Sequence, residues 1–462
     1  MNNSEIVKDP HVFFTGKRYD LLAKCIYVRY SDLGLNTEWG KDLYKEHIRV
    51  FNGYVESDGS EKYGADDFIN GFDSVIDDIS KNEFSADKSI IPIGSNNLII
   101  DGAHRLATCL YYDTPLTIEK KQQEAPEYNY EFFIRRGLEQ KYTDAMAIEY
   151  CRLEPNCFVP IIYPSAQGKD EEVKSILSKY GEIVYCKEIN LVKNGPVNLV
   201  RQIYCTEPWV GNFENQFSGA KNKAMGCFQS VGAVRAFVVK SDLDRMLKAK
   251  NEIRDLFNIS NHSVHINDTH EESIQLSNIL FNENSIHFLN YSNMVNMKWF
   301  QKLLSEYKQF ISRNDIDVEC LCIDGSAVMA AYGIREARDL DYLHHGYDDV
   351  DSGYKEIGSH NFASNLYQKP IDDIVFNPQN FFYYDNLKFV SLNLIKAMKT
   401  LRGEEKDHKD VSLIDDCLKG VVTKKTFDDF AMMFKPKYWY TKVRFIALKI
   451  RFHLYKVMKK FR

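Results

Sequence analysis

The 462-residue chain is expected to fold as an α+β multidomain protein, and three features of the sequence lead there. Its length is that of roughly three domains. Its 44% hydrophobic and 27% charged residues are what a soluble globular chain needs to build cores and cover them. Short strand-like runs recur among amphipathic helical stretches without internal repetition, the pattern of sheets covered by helices. The segments are read as 1–125, 126–294, 295–434 and a tail over 435–462.

The first segment opens on Lys17-Arg18-Tyr19-Asp20 and the strand-like run CIYVRY over 25–30. Helical periodicity follows over Asp66–Lys81. The runs SIIPIG and NLIID, joined through Gly94-Ser95-Asn96-Asn97, predict a β-hairpin. Directly after it come Asp101-Gly102-Ala103-His104-Arg105 and a helix carrying Leu106, Ala107, Leu110 and Tyr111. A glycine lets a ligand approach the backbone. A helix N-terminus offers free N–H donors to phosphate, and Arg105 adds a fixed, forked charge. Gly102, His104 and Arg105 are therefore candidate phosphate-binding residues. The block IIDGAHRLATCLYYD resembles the box of the ParB and sulfiredoxin superfamily, over about residues 85–121. That resemblance implies a nucleotide-binding domain, used in some members as a DNA-partition switch and in others as a small-molecule kinase. No helix-turn-helix pattern or basic stripe follows the box, which favours the kinase use.

In the middle segment, NCFVPIIYPSAQGKDEEVKSILSKYGEIVYCKEINL reads as strand, loop, helix, strand. Val173, Ile176, Leu177 and Tyr180 share one face of a helix over Asp170–Tyr180, and Gly181 ends it. A strand is expected over Ala233–Val239, then a helix over Lys248–Phe257, a short strand or turn at HSVHIND, and a helix over Glu271–Phe281. The order resembles nucleoside diphosphate kinases, through Tyr163-Pro164-Ser165, Ile253-Arg254, Val264-His265-Ile266-Asn267-Asp268 and Glu271. The resemblance implies a ferredoxin-like α/β sandwich with Arg254 on phosphate and His265 as phosphoryl acceptor. Tyr163 replaces the family lysine, and Ile266-Asn267 replace Gly-Ser. A domain that binds a nucleotide or sugar phosphate without catalysis is therefore an alternative. His262, His265 and His270 do not share one helical face and are not expected to bind metal. Trp209 with Lys221 and Lys223 is expected in a loop, its indole packed.

In the third segment, LCIDGSAVMAAYGIREARDLDYL (321–343) runs from a short strand through Gly325-Ser326 and a helix to a second strand. Alternation on that strand puts Asp339 and Asp341 on one face. Adjacent carboxylates call for a cation, and Mg²⁺ is commonly held by one or two carboxylates plus substrate phosphates. The pattern of a hydrophobic residue, Gly-Ser, a spacer and Asp-hydrophobic-Asp resembles the nucleotidyltransferase superfamily that includes polymerase-β-like enzymes. It covers roughly 295–420. The resemblance implies Asp339 and Asp341 as catalytic metal ligands, Gly325 and Ser326 on the triphosphate, and a third carboxylate on a later strand, Asp372 or Asp373, of which Asp373 is chosen. Lys399, Arg402, Lys406, Asp407 and Asp410 match a helix ending in a Lys-Asp-x-x-Asp signature.

The tail interleaves Lys and Arg with Phe445, Leu448, Phe452, Tyr455 and Val457, and reads as a basic amphipathic helix able to lie on an anionic membrane surface. Net charge is −6, which argues against a general nucleic-acid binder. Ten cysteines without a C-x-x-C pair suit a reducing cytosol. No apolar signal core or long apolar run is present, so the expected location is cytoplasmic, peripheral on the inner face of the membrane. Together the resemblances imply a nucleotide-dependent transferase: Mg²⁺-dependent nucleotidyl transfer from ATP or CTP, coupled to phosphoryl transfer onto a small-molecule or glycan acceptor. Bacterial cell-surface polysaccharide synthesis is a setting that such a pair of activities implies. The alternatives are a nucleotide-switched, DNA-associated regulator and a nucleotidyltransferase that modifies protein or RNA.

Overall fold

The structure is a computed structural model, and it describes residues 4–56, 62–85, 89–293, 295–346 and 352–420. The expected amphipathic tail over 435–462 lies outside the described residues. The fold is α+β with several sheets, as expected. Among the described residues no helix is long and apolar enough to cross a membrane.

In the first segment, strands β1 (Ser4–Val7), β2 (Ile91–Ile93) and β3 (Leu116–Lys120) form a small sheet in the order β1-β3-β2. β3 is antiparallel to β1 and parallel to β2. Helices Asp20–Asp32, Trp39–Asn52, Ala65–Asn82 and Ala103–Tyr112 pack around it. The run CIYVRY, expected as a strand, lies inside the helix Asp20–Asp32. This helix is buried nearly all round, Leu21, Leu22, Cys25, Ile26, Val28 and Tyr30 included. A helix without a solvent face shows no amphipathic stripe, so β-branched and aromatic residues read as strand. The expected hairpin survives as β2 and a single bridge between Ile93 and Ile99, turned through Asn97 at φ 60°.

The middle segment holds β4 (Cys157–Phe158), β5 (Ile161–Ile162), β6 (Glu182–Ile189), β7 (Val234–Lys240) and β8 (Val264–His265). Strands run β8-β5-β7-β6, every neighbour antiparallel, and β4 pairs with β7 just before β5 does. β7 alternates its faces. Phe237 and Val239 join the core made with the helices Asp170–Tyr180 and Leu243–Phe257, while Ala236 and Val238 face the larger core. Gly181 ends the first of these helices at an extended φ of −165°. It is needed for space there, since a Cβ would lie 2.6 Å from Val239 Cγ1.

The third segment holds β9 (Leu321–Ile323), β10 (Leu340–His344), β11 (Ile357–Ser359), β12 (Phe381–Tyr384) and β13 (Leu387–Val390), in the order β11-β10-β9-β13-β12. β9 is antiparallel to β10 and parallel to β13. The run PIDDIVF, expected as a strand, is the helix Ile371–Phe376. Pro370 fixes its entry, and Asp372 and Asp373 sit in its first turn, where the helix dipole favours acids. One contiguous core reaches from Phe13 to Ile414 through all three segments. Arg29–Glu149 (2.9 Å) and Arg152–Glu319 (2.8 Å) add ion pairs between them.

Candidate metal centre

β9 and β10 run antiparallel, with Tyr342 opposite Ile323, and the Asp324 N–H donates to the Asp341 carbonyl at 2.9 Å. This register sets Asp324, at the end of β9, across from Asp341. Gly325 turns the chain at φ 63° into the helix Gly325–Ala331. A Cβ at Gly325 would stand 3.0 Å from Asp341 Oδ2, so glycine lets that carboxylate approach the turn. Asp339 is exposed and lies one residue before β10 begins; its Oδ1 accepts from Ser326 Oγ at 3.2 Å. Leu340 and Tyr342 are buried, so the expected alternation holds.

Asp324 is fully buried. Its Oδ2 accepts from His360 Nδ1 at 2.9 Å and from Tyr367 Oη at 2.8 Å. Its Oδ1 has no hydrogen-bond partner among the described residues. Asp324, Asp341 and His360 each offer one potential ligand atom within 4.8 Å of the others. Burial, and then the charges of Asp324 and Asp339, push the Asp341 carboxyl up to about 6, against His360 and Arg402. The bond to Asp324 raises the His360 imidazole. Carboxylates this close, one of them pushed up by burial and then by its neighbours, form a site that a divalent cation would relieve.

The third acid beside Asp341 is thus Asp324, and Asp373 is occupied elsewhere. Asp373 accepts from Thr37 Oγ1 (2.7 Å), Lys369 Nζ (2.7 Å), Asn377 Nδ2 (3.0 Å) and Asn380 Nδ2 (3.0 Å). Asp372 accepts from His345 Nδ1 at 2.7 Å. The signal for Asp324 was in the sequence, an acid between a short apolar strand and Gly-Ser. His360 carried none, because it comes from a loop that only the fold returns to β9.

The Lys-Asp-x-x-Asp signature acts as a clamp. Asp407 accepts from Arg402 Nη2 at 2.7 Å, and Asp410 pairs with Lys399 Nζ at 2.8 Å. Arg335, ahead of β10, donates to both Asp410 oxygens at 2.7 Å. Helices Leu392–Arg402 and Glu405–Leu418 are thereby fastened to the loop that delivers Asp339 and Asp341. Lys406 pairs with Glu404 (2.9 Å) at the surface.

Gly102 takes φ 89° before the helix Ala103–Tyr112, the expected turn. His104 points inward, its Nε2 lying 2.8 Å from Tyr44 Oη and its ring 4.5 Å from that of Phe72. Burial lowers its imidazole far below the usual range, so it is neutral. Arg105 is half-buried beside Ser89 and Asp101. Of the expected basic pair, only Arg105 keeps an outward charge.

In the middle segment, the fold brings Arg254 and His265 together. Burial, and then Lys250, Lys223 and Arg254, push His265 down to about 3. Its ring meets Tyr204 edge-on at 5.0 Å. Arg254 Nε is buried without a hydrogen-bond partner among the described residues. His262 lies 3.9 Å from Cys227 Sγ, and His270 Nε2 lies 2.7 Å from the Cys151 carbonyl, so the three histidines form no common site. Trp209, expected packed, is 44% exposed in a short 3₁₀ turn against Tyr204. The segment after it, expected as loop, continues into the helix Ser218–Cys227. All ten cysteines are free thiols. No protein-family model, curated protein or solved structure matches this chain.

Proposed function

We propose that the third segment is a nucleotidyltransferase-like domain that moves a nucleotidyl group from a nucleoside triphosphate to a phosphate or hydroxyl acceptor. The observation that carries this reading is the acid pair Asp339 and Asp341 meeting buried Asp324 at the Gly325-Ser326 turn, with Asp341 pushed up to about 6. The unpartnered Asp324 Oδ1 fits a divalent cation. Asp324 and Asp341 would hold Mg²⁺, with Asp339 at the open edge. Bound there, the ion supplies charge neutralisation on the transferred phosphate. The Ser326 hydroxyl, which donates to Asp339 at 3.2 Å, would turn from that carboxylate to a phosphate oxygen once a nucleotide is bound.

The four-stranded antiparallel order β8-β5-β7-β6, with both helices on one face, supports a ferredoxin-like sandwich in the middle segment. Arg254, whose Nε has no hydrogen-bond partner among the described residues, and the neutral His265 support a seat for a nucleotide or sugar phosphate. Gly102 and Arg105 support a ParB/sulfiredoxin-like phosphate seat in the first. A kinase coupled to a nucleotidyltransferase makes an activated building block, and a glycan precursor is an acceptor of the right chemistry. Fold-level likeness carries that last step only as analogy.

The test is transfer of label from α-phosphate-labelled ATP or CTP, run once in Mg²⁺ and once in Mn²⁺. Asp339→Asn together with Asp341→Asn should abolish transfer with an unchanged circular dichroism spectrum. Full activity in the double variant would overturn the reading. Label on a macromolecule rather than a small molecule would identify the protein- or RNA-modifying alternative.

A further inference from the structure

We infer that Asp324, Asp341 and His360 form a mixed oxygen–nitrogen metal site that selects Mn²⁺, or a similar transition ion, over Mg²⁺. The inference rests on the proposed location of the centre and goes beyond it in naming an imidazole ligand and the ion it favours. Three observations support it. His360 Nδ1 and Asp324 Oδ2 are 2.9 Å apart. Ligand atoms at right angles around one octahedral ion, each at about 2.1 Å, stand about 3.0 Å apart, so an ion that displaces the Nδ1 proton now shared with Asp324 would find the pair at the spacing of neighbouring ligands. Asp341 contributes a third atom within 4.8 Å of both.

The second observation is independent of the clustering. Asp324 is fully buried, and its Oδ1 has no hydrogen-bond partner among the described residues. A buried carboxylate oxygen without a donor is costly unless a cation meets it. The third is the support behind the Asp324 carboxylate. Tyr367 Oη donates to Asp324 Oδ2 at 2.8 Å, and Tyr367 is itself buried, so the carboxylate is held from behind. Such outer-shell bonds orient metal ligands.

The choice of ion follows from the donor set. Mg²⁺ is a hard ion that takes oxygen ligands and keeps several waters. Imidazole suits later first-row ions, and carboxylates still suit Mn²⁺. Two carboxylates with one histidine therefore discriminate against Mg²⁺ through the nitrogen.

The experiment uses the full chain and needs no turnover. Apo protein is titrated calorimetrically with MnCl₂ and with MgCl₂, and the Mn²⁺ form is examined by electron spin-echo spectroscopy for ¹⁴N coupling. Wild type should bind Mn²⁺ at least tenfold more tightly than Mg²⁺ and show imidazole nitrogen coupling. His360→Gln should lose the coupling and at least tenfold of the Mn²⁺ affinity, and hold Mg²⁺ within about threefold. Equal affinities in wild type, or bound Mn²⁺ without nitrogen coupling, would overturn the inference. The wild-type spectrum decides even if the variant fails to fold. Nitrogen-coupled Mn²⁺ in a protein that transfers no nucleotide would overturn the proposed function alone. Nucleotidyl transfer without nitrogen coupling would overturn the metal assignment alone.

Discussion

Replacing His47 with phenylalanine should remove a defined part of the chain's acid sensitivity. His47 is fully buried in the helix Trp39–Asn52, and neither ring nitrogen has a hydrogen-bond partner among the described residues. Its ring lies 5.8 Å from that of Phe51 and 5.1 Å from that of Phe133, an environment a phenyl ring can share. Burial, and then Lys24 and Arg18, lower its imidazole well below 6.5, with Asp20 opposing. An unfolded histidine takes its proton near pH 6.5. Below that pH the unfolded state binds a proton that the folded state refuses, so stability falls as pH falls. Between pH 7.0 and 5.5 the loss from this one group is about 1.3 kcal/mol. Urea denaturation of wild type and His47→Phe at both pH values measures it, because the other titrating groups largely cancel in the difference. The variant should lose about 1.3 kcal/mol less than wild type over that interval. Parallel pH profiles would refute the assignment of a neutral, unpartnered imidazole at this position.

Two further outcomes test the fold around the candidate site. Asp373→Asn should cost about 2–3 kcal/mol, read as a lowered melting temperature, because it disturbs the bonds from Thr37, Lys369, Asn377 and Asn380. It should leave nucleotidyl transfer intact, and loss of transfer in a folded variant would return Asp373 to the site. Gly219→Ala should destabilise by more than about 3 kcal/mol, since the new Cβ would fall on the Trp209 carbonyl oxygen. A melting temperature equal to wild type would show that the 3₁₀ turn at Trp209 does not pack on this helix.

Local pattern settled what local forces govern. The helix Asp170–Tyr180 carries an apolar stripe with solvent on the other side, and it forms over the residues that the periodicity marked. Gly325 and the alternation around Asp341 were legible because a turn and a strand face depend on neighbouring residues. Burial on every side erased the same kind of signal in the helix Asp20–Asp32, where CIYVRY looks like a strand because no face is polar. PIDDIVF failed for a related reason: six helical residues are too few to show a period, and proline with two acids decides their state. The candidate site divides in the same way. Asp339, Asp341, Gly325 and Ser326 follow from spacing along one stretch. Asp324's burial and the arrival of His360 and Tyr367 depend on antiparallel pairing of β9 with β10 and on a loop returning after β11. Contacts between residues distant in sequence leave no periodicity, so only tertiary structure could join the imidazole to the carboxylates.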